Sequence, residues 1–204
     1  MAKDAAATAV TPTAGATRRL ATGVFAFEGD DSDADLRQQF GVASLLYTVR
    51  ELSGLKFIRR DIGTAGELYY YVRKWTQQRY RDYQVGHFGF HGRPGELWLS
   101  GSTKVTLDEL AEVIDGRAGG RIIYFSSCEI MGTDDAALRH FRERTGASAV
   151  IGFLKRVGGS LELPAFELLL LQALNDDVKI GAVEDRLRRQ HPYLCDLLGL
   201  KIIS

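Results

Sequence analysis

Short apolar runs alternate along the chain with longer segments whose apolar residues recur at helical spacing, the pattern of an α/β protein. The runs Gly23–Phe27, Leu55–Ile58, Gln84–Phe90, Arg121–Cys128 and Ala147–Phe153 each read as a strand. Amphipathic stretches predict helices over 32–52, 64–83, 106–118, 133–145, 163–174 and 182–198. Two of these open with Thr-x-x-Glu, Thr64 to Glu67 and Thr106 to Glu109, the form in which a threonine and a glutamate satisfy each other's backbone amides. Glu96–Leu99 and Lys104–Leu107, on either side of Gly101, read as a β-hairpin, and the closing Gly199–Ser204 is apolar enough to add an edge strand. Strands alternating with helices require right-handed crossovers. The expected fold is therefore α/β, a mostly parallel sheet with helices on both faces.

Composition narrows this picture. A chain of 204 residues suits one domain, expected over 21–204, preceded by a tail at 1–20 of Ala, Thr and Gly that cannot bury enough apolar area to order itself. Lys plus Arg balances Asp plus Glu at 26 each, which argues against nucleic acid and anionic membranes as partners. The predicted helix over 64–83 carries Tyr69, Tyr70, Tyr71, Trp75, Tyr80 and Tyr83 interleaved with Arg73, Lys74, Arg79 and Arg81. A base-stacking surface has that composition, but rings packed on the sheet with the basic residues on the wet face is the expected arrangement. Neither a signal-peptide core nor a membrane-length apolar run occurs. The two cysteines, Cys128 and Cys195, sit in dissimilar contexts without a CxxC pair, so a disulfide framework and a cysteine zinc site are both unexpected. A soluble, cytoplasmic protein is expected.

Candidate chemistry lies at strand ends. The strand Arg121–Cys128 passes from Ile122-Ile-Tyr-Phe to Ser126, Ser127 and Cys128, small polar groups at the edge where open α/β sheets place ligands. A nucleophilic thiol needs partial exposure and a nearby base, because its ordinary pKa is about 8.5. His91, which ends the strand from Gln84 and is followed by Gly92, can supply that base. His87, earlier in the same strand and deeper, is assigned a structural role, and Cys195, between leucines, that of a small core residue. His140 and His191 form no metal-spaced pair, so no metal site is expected.

Phe90-His91-Gly92, a hairpin, a helix and then Ile122-Ile-Tyr-Phe-Ser-Ser-Cys128 resemble the His-Gly and Ser-Ala-Cys signatures of the caspase-like cysteine peptidases, especially the CHAT branch related to separase. Gly146–Leu154 looks like the strand that follows the catalytic cysteine in CHAT domains. The chain is similar, more closely still, to a small bacterial family of this length with unassigned function, over about residues 22–175.

The resemblance implies a three-layer caspase-like fold in which the strands from Gly23, Gln84 and Arg121 lie side by side. It implies a cysteine endopeptidase acting on a protein or peptide substrate, in bacterial stress or antiphage defence. Cys128 would attack the peptide carbonyl to give an acyl-enzyme. His91 would protonate the leaving amine and later activate water, and the amides of Gly92 and Cys128 would hold the oxyanion. The same resemblance implies no metal or organic cofactor, a regulatory or activator protein as a further partner, and a homodimer through a sheet edge. Two other readings share these residues: a non-catalytic interaction module that keeps the fold, and a thiol-dependent acyl or amide hydrolase acting on small molecules.

Specificity is less determined. Caspases place Gln-Ala before the cysteine and metacaspases an Asp two residues before it. Ser126 and Ser127 stand there in this chain, so neither preference carries over. Glu28, Asp30 and Asp31, after the first strand, together with Glu129, are the candidate wall of a substrate pocket, and an acidic wall would favour Arg or Lys before the scissile bond. The same acids equally suit a solvated loop and a helix cap, and Glu129 would equally disfavour a thiolate.

Overall fold

A computed structural model of the chain describes residues 22–29, 41–99, 103–156, 161–176 and 179–204. Its first half runs β1 (Gly23–Gly29), α1 (Ala43–Ser53), β2 (Lys56–Ile62), α2 (Ala65–Trp75), a 3₁₀ turn (Gln78–Tyr80), β3 (Val85–Gly89), β4 (His91–Arg93), β5 (Glu96–Trp98) and β6 (Lys104–Thr106). The second half runs α3 (Leu107–Ile114), β7 (Ile122–Phe125), a 3₁₀ turn (Ile130–Gly132), α4 (Asp135–Thr145), β8 (Ala149–Phe153), α5 (Glu162–Asp176), α6 (Ile180–Gln190), α7 (Pro192–Leu198) and β9 (Leu200–Ile203).

Six strands form one sheet in the order β2-β1-β3-β7-β8-β9, parallel throughout except for β9, which pairs antiparallel with β8. The strands from Gly23, Gln84 and Arg121 are thus neighbours. The chain leaves β1 on one side to form β2 and returns on the other to form β3. The strand order reverses there, and the crevice beyond the carboxyl ends of β1 and β3 is the natural ligand position. Strands β4, β5 and β6 make a separate antiparallel sheet beyond that rim.

Helices cover both faces. One face carries an aromatic row that crosses the strands: Phe27 stacks on Phe25 (4.9 Å between centroids) and on Phe88 (4.7 Å), and Phe88 meets Phe125 at 5.4 Å. Buried residues of α2, α3 and α4 close over this row. Gly86 makes room for Trp75, since a Cβ there would lie 2.6 Å from the indole. The opposite face, with Val24, Ala26, Val85, Tyr124, Ile151 and Phe153, is covered by α1, α5, α6 and α7. The architecture is α/β, a mostly parallel sheet between two helical layers.

Several expectations held in detail. Both capping boxes form, with the Thr64 hydroxyl accepting from the Glu67 amide and Thr106 from Glu109. The C-terminal segment is an edge strand.

Others changed. The aromatic helix expected over 64–83 ends at Trp75, whose indole donates to the Tyr83 carbonyl at 2.7 Å, and a 3₁₀ turn brings the chain back under β3. Among its rings only Trp75 is fully buried, while Tyr70 is 52% exposed. The helix expected over 182–198 is two helices broken at His191, because Pro192 has no amide to donate and disfavours helical backbone in the residue before it. Strand β2 continues past Ile58 through Arg59, Arg60 and Asp61, which an edge strand tolerates. The strand expected to reach Cys128 pairs only as far as Phe125, and His91-Gly92 is itself a strand rather than a loop. The helix expected over 133–145 begins at Asp135, with Asp134 in its cap position. The expected tail at 1–20 and the first part, 32–40, of the helix expected over 32–52 lie outside the described residues. Among those described, no helix is long and apolar enough to cross a membrane.

Candidate active site

The site is built where β3 and β7 end. The two strands run parallel through Phe88 and Phe125, and beyond that pair the Ser126 amide still donates to the Phe88 carbonyl at 2.9 Å. The Ser127 hydroxyl donates to the same carbonyl at 3.2 Å. Cys128 then leaves the sheet half-buried, and neither cysteine forms a disulfide. The next residue, Glu129, has left-handed backbone (φ +51°), uncommon for a residue with a side chain, so the chain turns sharply just after the thiol. The Glu129 amide donates to the Lys155 carbonyl at 3.1 Å and its carbonyl accepts from Gly132 at 2.7 Å, which holds that turn in place.

His91 reaches the same place from β3. It is exposed and pairs across β4–β5 with Trp98, while Gly92 pairs with Leu97. Gly92 lies against the Ser127–Cys128 peptide so closely that a Cβ would fall 2.3 Å from the Cys128 carbonyl oxygen and 3.1 Å from its amide nitrogen. Only glycine fits there without displacing backbone. The His91-Gly92 and Ser127-Cys128 dipeptides, distant in sequence, are thereby packed into one rim.

The other predicted residues fall into different places. Ser126 is half-buried at the rim, whereas Ser127 is 1% exposed, its hydroxyl committed to joining β7 to β3. Glu28, 5% exposed at the end of β1, accepts hydrogen bonds from the Val42 amide and the Arg59 guanidinium, and Arg59 also pairs with Asp61. Its carboxylate anchors the start of α1 and the edge strand. Glu129 lies 3.6 Å from Arg156 on the surface. Asp30 and Asp31 lie outside the described residues.

Beneath the rim, on the face covered by α5, lies a polar cluster that sequence reasoning did not assemble. His87 Nε2 is 3.1 Å from Glu167 Oε1, and the Tyr124 hydroxyl donates to that same oxygen at 3.1 Å. Burial pushes the Glu167 carboxyl up, but the hydrogen bonds and charge of His87, with those of Ser126 and Tyr124, outweigh it and hold the group below its ordinary value. An ionised carboxylate only accepts, so Nε2 of His87 carries the proton of their bond. Burial, then the charge of Glu167, drives the Tyr124 phenol well above its ordinary value. The signal in the sequence was the lone acid in Phe166-Glu-Leu-Leu-Leu-Leu171, a carboxylate within the apolar run of a helix.

The fold and this rim define a class. The chain resembles a secreted C11 cysteine protease from Bacteroides thetaiotaomicron, solved with an irreversible peptide inhibitor, at a TM-score of 0.51 and 12% identity. The match covers 80% of this chain and 56% of the protease, so this chain spans little more than half the length of that relative. The fold is accordingly caspase-like. By its sequence, residues 22–203 match the family of unknown function DUF6642, and the chain belongs to that family. No curated protein matches it.

Proposed function

We propose that this protein is a cysteine endopeptidase whose dyad is Cys128 and His91. The observation that carries this reading is the packing of Gly92 against Ser127 and Cys128, which brings the short histidine-bearing strand β4 and a partly accessible thiol together beyond the ends of adjacent parallel strands. The Cys128 sulfur adds to the scissile carbonyl, the amine leaves with a proton from His91, and water deprotonated by His91 releases the acyl group. The amides of Gly92 and Cys128 serve the developing oxyanion. Glu167 ties His87 of β3 to Tyr124 of β7, the two strands that lead to the dyad. The likeness to a cysteine protease at the level of fold supports the peptidase over a small-molecule hydrolase.

The test is to incubate the wild type and Cys128→Ala with a bacterial proteome and map new protein N-termini, alongside alkylation of the thiol. Cys128-dependent termini, with labelling that slows in His91→Ala, are expected. Labelling no faster than a simple thiol, with no new termini, would assign the chain instead to non-catalytic scaffolding. The further expectations of an antiphage or stress role, an activator partner and a homodimer belong to this proposal and are tested by identifying the substrate.

A further inference from the structure

A second site lies away from the rim, where α2 and the 3₁₀ turn at Gln78–Tyr80 overhang the β1–β2 edge. An open groove of about 500 Å³ is floored there by Phe25 and walled by Tyr70, Tyr71 and Tyr80. That volume falls within the range of small-molecule sites. Phe25 pairs with Ile58 and Gly86, four residues before the carboxyl end of β1, so the groove faces away from the strand ends that carry Cys128.

Its chemistry is one-sided. Arg60, Lys74 and Arg79 line it, and no carboxylate does. Each cation lies over a tyrosine ring: Arg60 is 5.6 Å from the Tyr71 centroid, Lys74 5.0 Å from Tyr70 and Arg79 4.9 Å from Tyr80. Tyr70 and Tyr71 meet edge to face, 5.1 Å apart at 80°, which makes a right-angled aromatic corner. Tyr80 stands edge-on over Phe25 at 6.0 Å. Among the described residues, none of the three cations has a carboxylate within ion-pair distance, although the whole chain is neutral. A net charge of zero gives no general attraction for anions, so three positive groups with aromatic walls form a local feature.

We propose that this groove binds a nucleoside phosphate. A planar base stacks in the Tyr70–Tyr71 corner, and its phosphates take the charge of Lys74, Arg79 and Arg60. A simple polyanion would leave the rings unused, and an uncharged aromatic would leave the cations unused. The pairing of the two selects a ligand that carries both. The base-phosphate unit could come from a free nucleotide or from a single strand. The limited volume of the groove, with only Arg60, Lys74 and Arg79 as basic residues lining it, favours the free nucleotide.

The test is calorimetric titration of the full chain with adenosine and guanosine triphosphates, with adenosine and inorganic tripolyphosphate as controls, and with a single-stranded decanucleotide as a third arm. One nucleotide site is expected, with each control at least about tenfold weaker, since each forfeits stacking or charge. Lys74→Ala with Arg79→Ala should weaken the nucleotide by about tenfold or more, and Tyr70→Ala alone by several-fold, while Cys128→Ala leaves binding unchanged. These side chains lie at the surface, and circular dichroism confirms that the variants fold. Should the double variant fail to fold, Arg60→Ala provides the same reading. Decanucleotide binding that exceeds the mononucleotide's, falls steeply with salt and is lost in the same variants would assign the base-phosphate unit to a strand. No binding, tripolyphosphate as tight as the triphosphates, or nucleotide affinity untouched by the variants would overturn the proposal. Since none of these readouts involves proteolysis, they stand or fall separately from the dyad.

Discussion

His87 lies inside β3 with 1% of its surface exposed and bonded to Glu167, whereas His91, a few residues on, stands exposed on β4 beside the glycine that packs on Cys128. The two carry the same imidazole to opposite environments. For His87 one nitrogen is fixed: a carboxylate from α5 selects the proton on Nε2, while Nδ1 is buried without a hydrogen-bond partner. For His91 the ring stands at the surface, while the backbone that follows it is fixed by Gly92. A buried ion pair is costly to assemble and adds little net stability compared with an apolar pair of the same size. It is useful where it ties elements together, and here one carboxylate from α5 joins His87 of β3 to Tyr124 of β7. The deep histidine thus serves the joining of the two strands, and the shallow one is the proposed general acid–base at their ends.

The sharpest way to break this comparison is to remove each ring in turn. His91→Ala should lower cleavage by about 10²–10⁴-fold, the usual contribution of a general acid–base, and leave the denaturant midpoint almost unchanged. His87→Ala should do the converse in unfolding experiments, costing about 3–5 kcal/mol, because the Glu167 charge is left buried without its partner. Replacing both members, His87→Leu with Glu167→Leu, should restore most of that stability. If His91→Ala unfolds the protein, or His87→Ala abolishes cleavage without loss of stability, the roles are reversed.

Gly92 tests the joint between the two regions. The Cβ of Gly92→Ala would meet backbone atoms of Cys128 on one side and the Ser127 Cβ at 2.9 Å on another, none of which can swing away as a flexible side chain would. The rim must open by a fraction of an ångström. Overpacking of this kind costs about 1–3 kcal/mol, and a small misplacement of reacting groups costs about 10²-fold in rate. Both should be measurable, the first by urea unfolding and the second by kcat on a cleavable peptide.

These residues also show what the sequence makes legible. The strands β1, β3, β7 and β8 were visible as apolar runs because they are buried on both faces, and the two capping boxes because their partners are three residues apart. The thiol and the imidazole could be paired because strand ends in a parallel sheet share one edge. Glu167 could not be paired with His87 in the same way, since the two are 80 residues apart and come from different elements. The extension of β2 through Arg59-Arg60-Asp61 was hidden for a related reason. Arg59 is held by Glu28 from the neighbouring strand, and nothing local marks it. The polar residues near the site divide likewise: Ser127, before the cysteine, and Glu28, of the candidate wall, carry the polarity of a binding site, but their hydrogen bonds are spent within the fold.

The titration of Glu167 separates the buried region from the rim by pH. Its carboxyl is held below the ordinary value in the folded state, so its contribution is complete above the unfolded pKa, about 4.3, and is lost as pH falls through the folded value. Stability measured by denaturant midpoint should therefore fall on acidification below about pH 4, and the fall should be shallower in Glu167→Gln. An equal slope in the variant would mean that other carboxylates carry the acid limb. Asp135, held down by Lys201, is one that remains in both proteins, so the difference between them isolates the buried pair.

The smallest expected effect comes from Ser127→Ala. The hydroxyl donates to the Phe88 carbonyl, but that carbonyl keeps the Ser126 amide at 2.9 Å when the hydroxyl is removed. No buried acceptor is stranded, and the loss should be that of one ordinary hydrogen bond, about 0.5–1.5 kcal/mol. Activity should change little, because Cys128 remains held by Gly92 on one side and by the Glu129 turn on the other. The measurement is a urea midpoint together with kcat and KM for the same peptide. A rise in KM with stability intact would show Ser127 reaching substrate, and would move it from the framework that supports the rim to the wall that reads the substrate.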